Sequence, residues 1–176
     1  MEITPYNLKR KQDIKQLFID VFTESASDSE GVILGDLTYK LMCDTGDVYG
    51  FTAIEDNVII GCVFFSRLTF GNNINAYLLS PVAIKTSEQK KGIGQNLINY
   101  TINKLKGFGV EMVLTYGDPN YYSKVGFNTI STDVIPAPFK LSQPEGWLVN
   151  SLNNKNITSK FGKPHCVEAF NNTDLW

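Results

Sequence analysis

Histidine is almost missing from this sequence: one, His165, stands among 176 residues. Cysteine is scarce too, with three at Cys43, Cys62 and Cys166. An odd count at wide spacing builds no disulfide framework. One histidine with scattered cysteines makes no metal-ligand set, so no metal is expected. His165 precedes Cys166, but neighbours on a strand point to opposite faces, so they do not form a nucleophile and its base. Net charge is also small, with 16 Lys and Arg against 18 Asp and Glu, a formal −2. That excludes a general electrostatic pull toward nucleic acid or an anionic membrane, and neither is expected as a partner. A cationic small molecule suits the balance better. No apolar run approaches a membrane span, and the opening "MEITPYNLKRKQD" has no apolar signal core. The expectation is a cytoplasmic, reduced protein, with Cys62 in "VIIGCVFF" acting as a small buried hydrophobe. Repeats and low-complexity tracts are absent as well.

What is present suits a globular domain. Hydrophobic residues make up 43% and charged ones 19%, enough to bury a sizeable core in one domain over residues 1–176. Residues 2–5 read as a short edge strand. Ile14, Leu17, Phe18, Val21 and Phe22 mark one face of a helix. "ESASDSE" (24–30) interrupts it as an acidic loop. Ile33, Leu37 and Leu41 mark a second helix, with Asp28 or Ser29 as its cap. Strands are expected at 48–54, 58–70 and 74–85 as an antiparallel meander. Pro81 inside the third removes a ladder hydrogen bond, so a bulge or a gap in pairing is expected there. Ile93, Leu97, Ile98, Thr101, Ile102 and Leu105 make the buried stripe of a further helix, which Gly107 and Gly109 can end. A strand at 110–116 then completes a right-handed crossover with parallel strands. "GDPNYYSKVGF" (117–127) reads as a turn and a short helix stopped by Gly126. Later strands are expected at 146–152 and 162–170, with "IPAPFKLSQPEG" as a loop between the 110–116 strand and the first of them.

The stretch "SEQKKGIGQN" (87–96) stands where a strand ends and a helix begins. A nucleotide P-loop needs G-x-x-x-x-G-K-[ST], which is absent. A dinucleotide fingerprint needs a third glycine where Leu97 stands, and lacks its acidic partner. The pattern Q/R-x-x-G-x-G/A is met in full by Gln89, Lys90, Lys91, Gly92, Ile93 and Gly94. The first turn of a helix presents unpaired N–H groups at the positive end of its dipole, which suits a phosphate. Glycine lets that phosphate approach the backbone, and the lysines add charge at the rim. The hexapeptide alone is equally compatible with a glycine-rich helix start whose lysines face water.

The surrounding block "SPVAIKTSEQKKGIGQNLINYTINKL" (80–105) resembles the central motif of the GNAT N-acetyltransferase superfamily, and "YYSKVGF" (121–127) resembles its second signature. The unit "GDPNYYSKVGF" is most similar to the YhbS-type branch of that superfamily. The resemblance implies an α/β (α+β) fold. Its mixed, mostly antiparallel central sheet has splayed parallel strands and is flanked by helices. It implies acetyl-CoA as cofactor, lying where the strand before the glycine motif parts from its parallel neighbour. Val82, Ala83 and Ile84 match the segment whose backbone holds the pantetheine arm, and a strand N–H near Val82 would stabilise the oxyanion. Gln89, Lys90, Lys91, Gly92, Ile93, Gly94 and Gln95 match the diphosphate site. Tyr122, four residues before Gly126, matches the general acid.

The implied reaction is direct transfer of an acetyl group from acetyl-CoA to a primary amine, with no covalent nucleophile. The acceptor is a small molecule or a protein amino group, and the resemblance leaves room for a homodimer. Some members carry a glutamate base where this chain has Leu78, so that base is excluded. Water or Glu24, Asp28 and Glu30 of the 24–30 stretch are the substitutes. A coenzyme A-binding sensor or interaction module without turnover is the alternative.

Overall fold

The apolar stripe near the N-terminus becomes the buried face of the first helix. In the computed structural model, which describes residues 1–44, 46–153, 157 and 160–176, α1 (Lys11–Ser25) buries Ile14, Leu17, Phe18 and Val21. Each such side chain contributes roughly 1.5–3 kcal/mol when fully removed from water. Phe22 is only partly buried and stacks on Phe18, with ring centroids 6.3 Å apart. α2 (Asp28–Cys43) begins after two intervening residues. Its cap is Ser27 rather than Asp28 or Ser29: Ser27 Oγ accepts from the Glu30 N–H at 3.2 Å. The stretch 24–30 is therefore not an acidic loop. Glu24 lies in the last turn of α1, while Asp28 and Glu30 sit in the first turn of α2, where carboxylates oppose the positive helix end.

The strands are β1 (Glu2–Pro5), β2 (Val48–Glu55), β3 (Val58–Thr69), β4 (Ala76–Ile84), β5 (Met112–Tyr116), β6 (Asn128–Thr129), β7 (Trp147–Ser151) and β8 (His165–Cys166). Their hydrogen-bonded order is β1-β2-β3-β4-β5-β7-β6, with β8 beside β3. β1 runs antiparallel to β2, from Glu2↔Ile54 to Pro5↔Phe51. Asp56 and Asn57, both with positive φ (48° and 62°), make the tight hairpin turn between β2 and β3. α3 (Ile93–Gly107) links β4 to β5, and these two strands are parallel, as the crossover requires. β5 is antiparallel to β7 on its other edge, which makes the sheet mixed. β8 is far shorter than the strand expected at 162–170; it pairs Cys166 with Leu68 and His165 with Thr69. The two-residue β6 had no sequence signal.

The chain's contacts gather in two units, Met1–Phe65 with Pro81–Thr101, and Ser66–Ser80 with Ile102–Trp176. The first is built on aromatic packing: Phe64 meets Phe18 at 6.0 Å and Tyr6 at 5.7 Å between ring centroids. The second centres on Trp147, which is fully buried and donates its indole N–H to Ile135 O at 2.8 Å. That bond and the burial of Ile135, Ala137 and Leu141 pin a proline-rich loop that cannot join a ladder. Among the described residues no helix is long and apolar enough to cross a membrane.

Candidate active site

The glycine motif folds as a bend that opens straight into α3. Lys90 has φ 62° and Gly92 φ 81°, two left-handed residues within three positions. Such alternation turns successive N–H groups toward one side, a concavity suited to an anion. The first ladder bond runs from Asn96 N to Gly92 O at 3.0 Å. The N–H groups ahead of Asn96 in the first turn therefore have no acceptor inside the helix. A Cβ placed on Gly92 would meet no atom within 4 Å, so glycine is required there by its φ and not by crowding.

The motif's side chains divide by role. Ile93 and Gly94 are buried, so they offer backbone only. Gln89 turns back and donates its Nε2 to Ile84 O at 3.0 Å, bracing the bend against the end of β4. Lys90 is exposed, and Lys91 is held by Glu88, Nζ to Oε2 at 2.9 Å. That hydrogen bond holds the Glu88 carboxyl below the usual carboxylate range, with Lys85 adding a smaller pull. Glu88 had not been singled out from the sequence.

β4 carries its pairing with β5 only part of the way. The register runs from Ala76↔Met112 to Leu79↔Thr115. Among the described residues, Ser80 to Ile84 form no rung with β5, although β4 itself continues. Pairing thus ends two residues before Pro81. Ala83 is 1% exposed, and Ile84 packs its side chain over Gly61, so what Val82, Ala83 and Ile84 offer is chiefly backbone. Leu78 is buried within β4, as an apolar residue should be, and is no base.

Tyr122 belongs to the second unit, at the end of α4 (Pro119–Tyr122). Asp118 caps this turn, its Oδ1 accepting from Asn120 N at 2.9 Å, and Pro119 fits the first helical position. Gly126, with φ 89°, ends the following turn Ser123–Val125, and Phe127 N then reaches back to Tyr122 O at 3.2 Å. The phenol ring is flanked by neighbours but remains partly exposed. Tyr121 lies edge-on at 5.1 Å and Phe127 at 5.7 Å between centroids. A Cβ on Gly117 would come within 2.6 Å of the ring's Cε2. Burial pushes the Tyr122 hydroxyl up to about 12; the Thr115 hydroxyl opposes that rise, and Tyr121 adds to it. Thr115, on the last rung of the β4–β5 ladder, donates to Leu79 O at 2.9 Å. Neither Thr115 nor Gly117 was found from the sequence. A polar residue in the otherwise apolar run "MVLTY" was the available signal for Thr115.

The carboxylate candidates do not come together. Asp28 and Glu30 are exposed on α2. Glu24 lines a pocket of about 530 Å³ in the first unit, shared with Asp13, Asp20, Arg10 and Lys85. There Arg10 Nε pairs with Asp13 Oδ2 at 2.9 Å. Burial pushes the Cys62 and Cys166 thiols up, which keeps them protonated, and His165 is exposed.

Comparison with known proteins agrees with this arrangement. The chain is 29% identical over 105 residues to the uncharacterized N-acetyltransferase YjhQ of Escherichia coli strain K12, covering 56% of this chain and 58% of that protein. It is 30% identical over 103 residues to the uncharacterized N-acetyltransferase YhbS of the same strain, covering 57% and 59%. The match thus spans under two thirds of these curated relatives. Its fold is similar to the crystal structure of Escherichia coli YhbS in complex with CoA, with a TM-score of 0.83 at 23% identity over 97% of this chain and 92% of that one. A GNAT family acetyltransferase from Brucella melitensis in complex with acetyl-CoA gives 0.76 at 21% identity, covering 96% and 97%. The model of the acetyltransferase (GNAT) family matches residues 12–127, more than half of the sequence and the whole stretch from α1 to Phe127. The chain belongs to the acetyltransferase (GNAT) family.

Proposed function

We propose that residues 1–176 act as an acetyl-CoA-dependent N-acetyltransferase that passes the acetyl group directly to a primary amine. The observation that carries this reading is the Tyr122 phenol, flanked by Tyr121, Phe127 and Gly117 in the turn that follows β5. In this reading the diphosphate of coenzyme A sits on the N–H groups at Gly92 to Gln95, with Lys90 and Lys91 at its rim. The pantetheine arm lies along the backbone of Val82, Ala83 and Ile84. The relatives crystallised with CoA and acetyl-CoA support the choice of cofactor.

Bound acetyl-CoA supplies a thioester carbonyl that an amine can attack. The chain's own part is to hold the cofactor and to meet the negative charge that leaves with sulfur. A free thiol has pKa about 8.5, while Tyr122 stands at about 12. Complete proton transfer is therefore uphill by on the order of 5 kcal/mol, and a neutral phenol donating a strong hydrogen bond to the thiolate is the economical role. An attacking alkylamine, pKa about 10.4, must first lose a proton, and with Leu78 in place of a strand carboxylate that proton goes to water. The acceptor is a small molecule or a protein amine.

The test is thiol release from acetyl-CoA with a panel of amines, alongside the melting temperature with coenzyme A. Turnover with at least one amine and a raised melting temperature are expected. A raised melting temperature without turnover on any amine would make the chain a coenzyme A-binding module. No shift at all would refute both.

A further inference from the structure

Asn150 has no part in the reaction as proposed. It stands half-buried in β7, directly after the buried run Trp147 to Val149. On one edge of β7 it lies opposite Val113 of β5. On the other edge the β6 ladder is short, with Thr129 opposite Leu148 and Asn128 opposite Val149. One further rung in that register would set Phe127 opposite Asn150. Among the described residues that rung is not formed. Phe127 N instead turns back and donates to Tyr122 O at 3.2 Å.

The Asn150 side chain takes over where the ladder stops. Its Nδ2 donates to Val125 O at 3.3 Å. Val125 closes the turn Ser123–Val125 that follows Tyr122, and the last carbonyls of a helical turn lack donors of their own. Val125 is 4% exposed, and a buried carbonyl left without a donor is costly. The fit is close. A Cβ on Gly126 would come within 2.9 Å of the Asn150 Nδ2, so Gly126 serves both its φ of 89° and the approach of this amide. An apolar residue at 150 would continue the strand equally well, but it would leave Val125 O unmet.

We infer that Asn150 is a positioning residue for Tyr122: its amide ties the turn behind the phenol to β7, and through the Asn150↔Val113 rung to β5. Tyr122 is thereby held from both sides of its turn. Gly117 lies against the ring on the β5 side, and Asn150 holds the far end at Val125. Phe127, whose ring stands 5.7 Å from the phenol between centroids, is drawn in by the same turn. Asn150 moves no proton and meets neither cofactor nor acceptor; it acts only through where the phenol stands. A misplacement of about 1 Å at a reacting group can cost about a hundredfold in rate, so one such tie matters. The inference rests on the reading of Tyr122 as the acid.

The experiment compares the full chain with Asn150→Leu, Asn150→Asp, Tyr122→Phe and the Asn150→Leu/Tyr122→Phe double variant. Asn150→Leu removes the donor and keeps the bulk. Asn150→Asp keeps the shape and sets an acceptor against Val125 O, so it carries the same comparison should Asn150→Leu fail to fold. Thiol release from acetyl-CoA is followed with the panel of amines, well below every variant's melting temperature, and coenzyme A binding is measured by calorimetry. Asn150→Leu should lower kcat about five- to tenfold, with the coenzyme A dissociation constant and the KM for acetyl-CoA within about twofold of the parent. Asn150→Asp should lower kcat at least as far. In the Tyr122→Phe background, Asn150→Leu should change kcat by less than about twofold, because it acts only through the missing hydroxyl. Its cost in melting temperature should be the same in both backgrounds. Should Tyr122→Phe lose activity while Asn150→Leu and Asn150→Asp keep it, the inference falls and the acid stands. The inference is equally overturned if coenzyme A binding weakens in step with kcat, or if Asn150→Leu costs the same factor with and without the Tyr122 hydroxyl, since either marks a merely structural residue. A parent chain that releases no thiol with any amine, or an unaffected Tyr122→Phe, removes the acid and the inference together.

Discussion

Gly92 and Gly117 are the same residue used for opposite reasons. Around Gly92 there is open space and an unusual backbone: no atom within 4 Å of a would-be Cβ, and φ at 81°. Around Gly117 there is no room, with the Tyr122 ring 2.6 Å from where a Cβ would stand. The bend at 88–95 leaves backbone N–H groups without an acceptor inside α3. The turn at 117–127 packs around one side chain, Tyr122. An anion seat needs emptiness and direction, whereas an acid needs walls. A glycine can serve either need.

The contrast can be broken from its packed side first. Tyr122→Phe removes only the hydroxyl. It is expected to lower kcat about a hundredfold while leaving the coenzyme A dissociation constant within about twofold, by steady-state kinetics and calorimetry. The sign of its titration follows from its burial. In the proposed role the active form is the protonated phenol, and with the pKa pushed up to about 12 that form persists below it. A pH–rate profile should therefore show no alkaline loss attributable to Tyr122 between about pH 7 and 10. A limb lost in Tyr122→Phe but present in the parent would contradict the enclosure.

Gly117→Ala comes next. The added methyl must displace the ring, so kcat should fall about tenfold, with a stability loss of about 1–3 kcal/mol in urea unfolding. A smaller effect belongs to Gly92→Ala, which meets no atom but must hold a left-handed φ. Coenzyme A should bind about five- to tenfold more weakly, at a folding cost of about 1 kcal/mol, with kcat at saturation nearly unchanged. If Gly92→Ala lowered kcat and Gly117→Ala weakened binding, the division of labour would be reversed. The mildest change is Glu88→Gln, which frees Lys91 from its carboxylate. Coenzyme A should bind about two- to threefold more tightly at low salt, and the gain should vanish near 1 M salt, where screening removes exposed charge effects.

The two regions also differed in how far they could be read in advance. The bend was visible as Gln89-Lys-Lys-Gly-Ile-Gly94 because a backbone site advertises itself through glycine spacing. The stripe of α3 and the crossover to β5 were visible because burial imposes a period. The surroundings of Tyr122 were not, since Gly117 and Phe127 reach it only through the turn and the bond from Phe127 N to Tyr122 O. Ser27 escaped because three neighbouring polar residues could each cap α2, and side-chain geometry chose among them. β8 shrank to two residues because a strand needs a partner, and the sequence shows only its own half of the pair.

The rung Leu79↔Thr115 has one more consequence. Side chains alternate between the faces of a strand, so a slip of β5 by a single residue would carry Thr115 to the other face and replace it beside Leu79 with a neighbour from "LTY". Its hydrogen bond to Leu79 O would be lost. A misaligned sheet would still bury leucine and valine, and by burial alone would pass for the native one. It would leave the Thr115 hydroxyl without Leu79 O. That one hydrogen bond thus marks correct strand alignment, in a way that spectroscopy of secondary structure would miss.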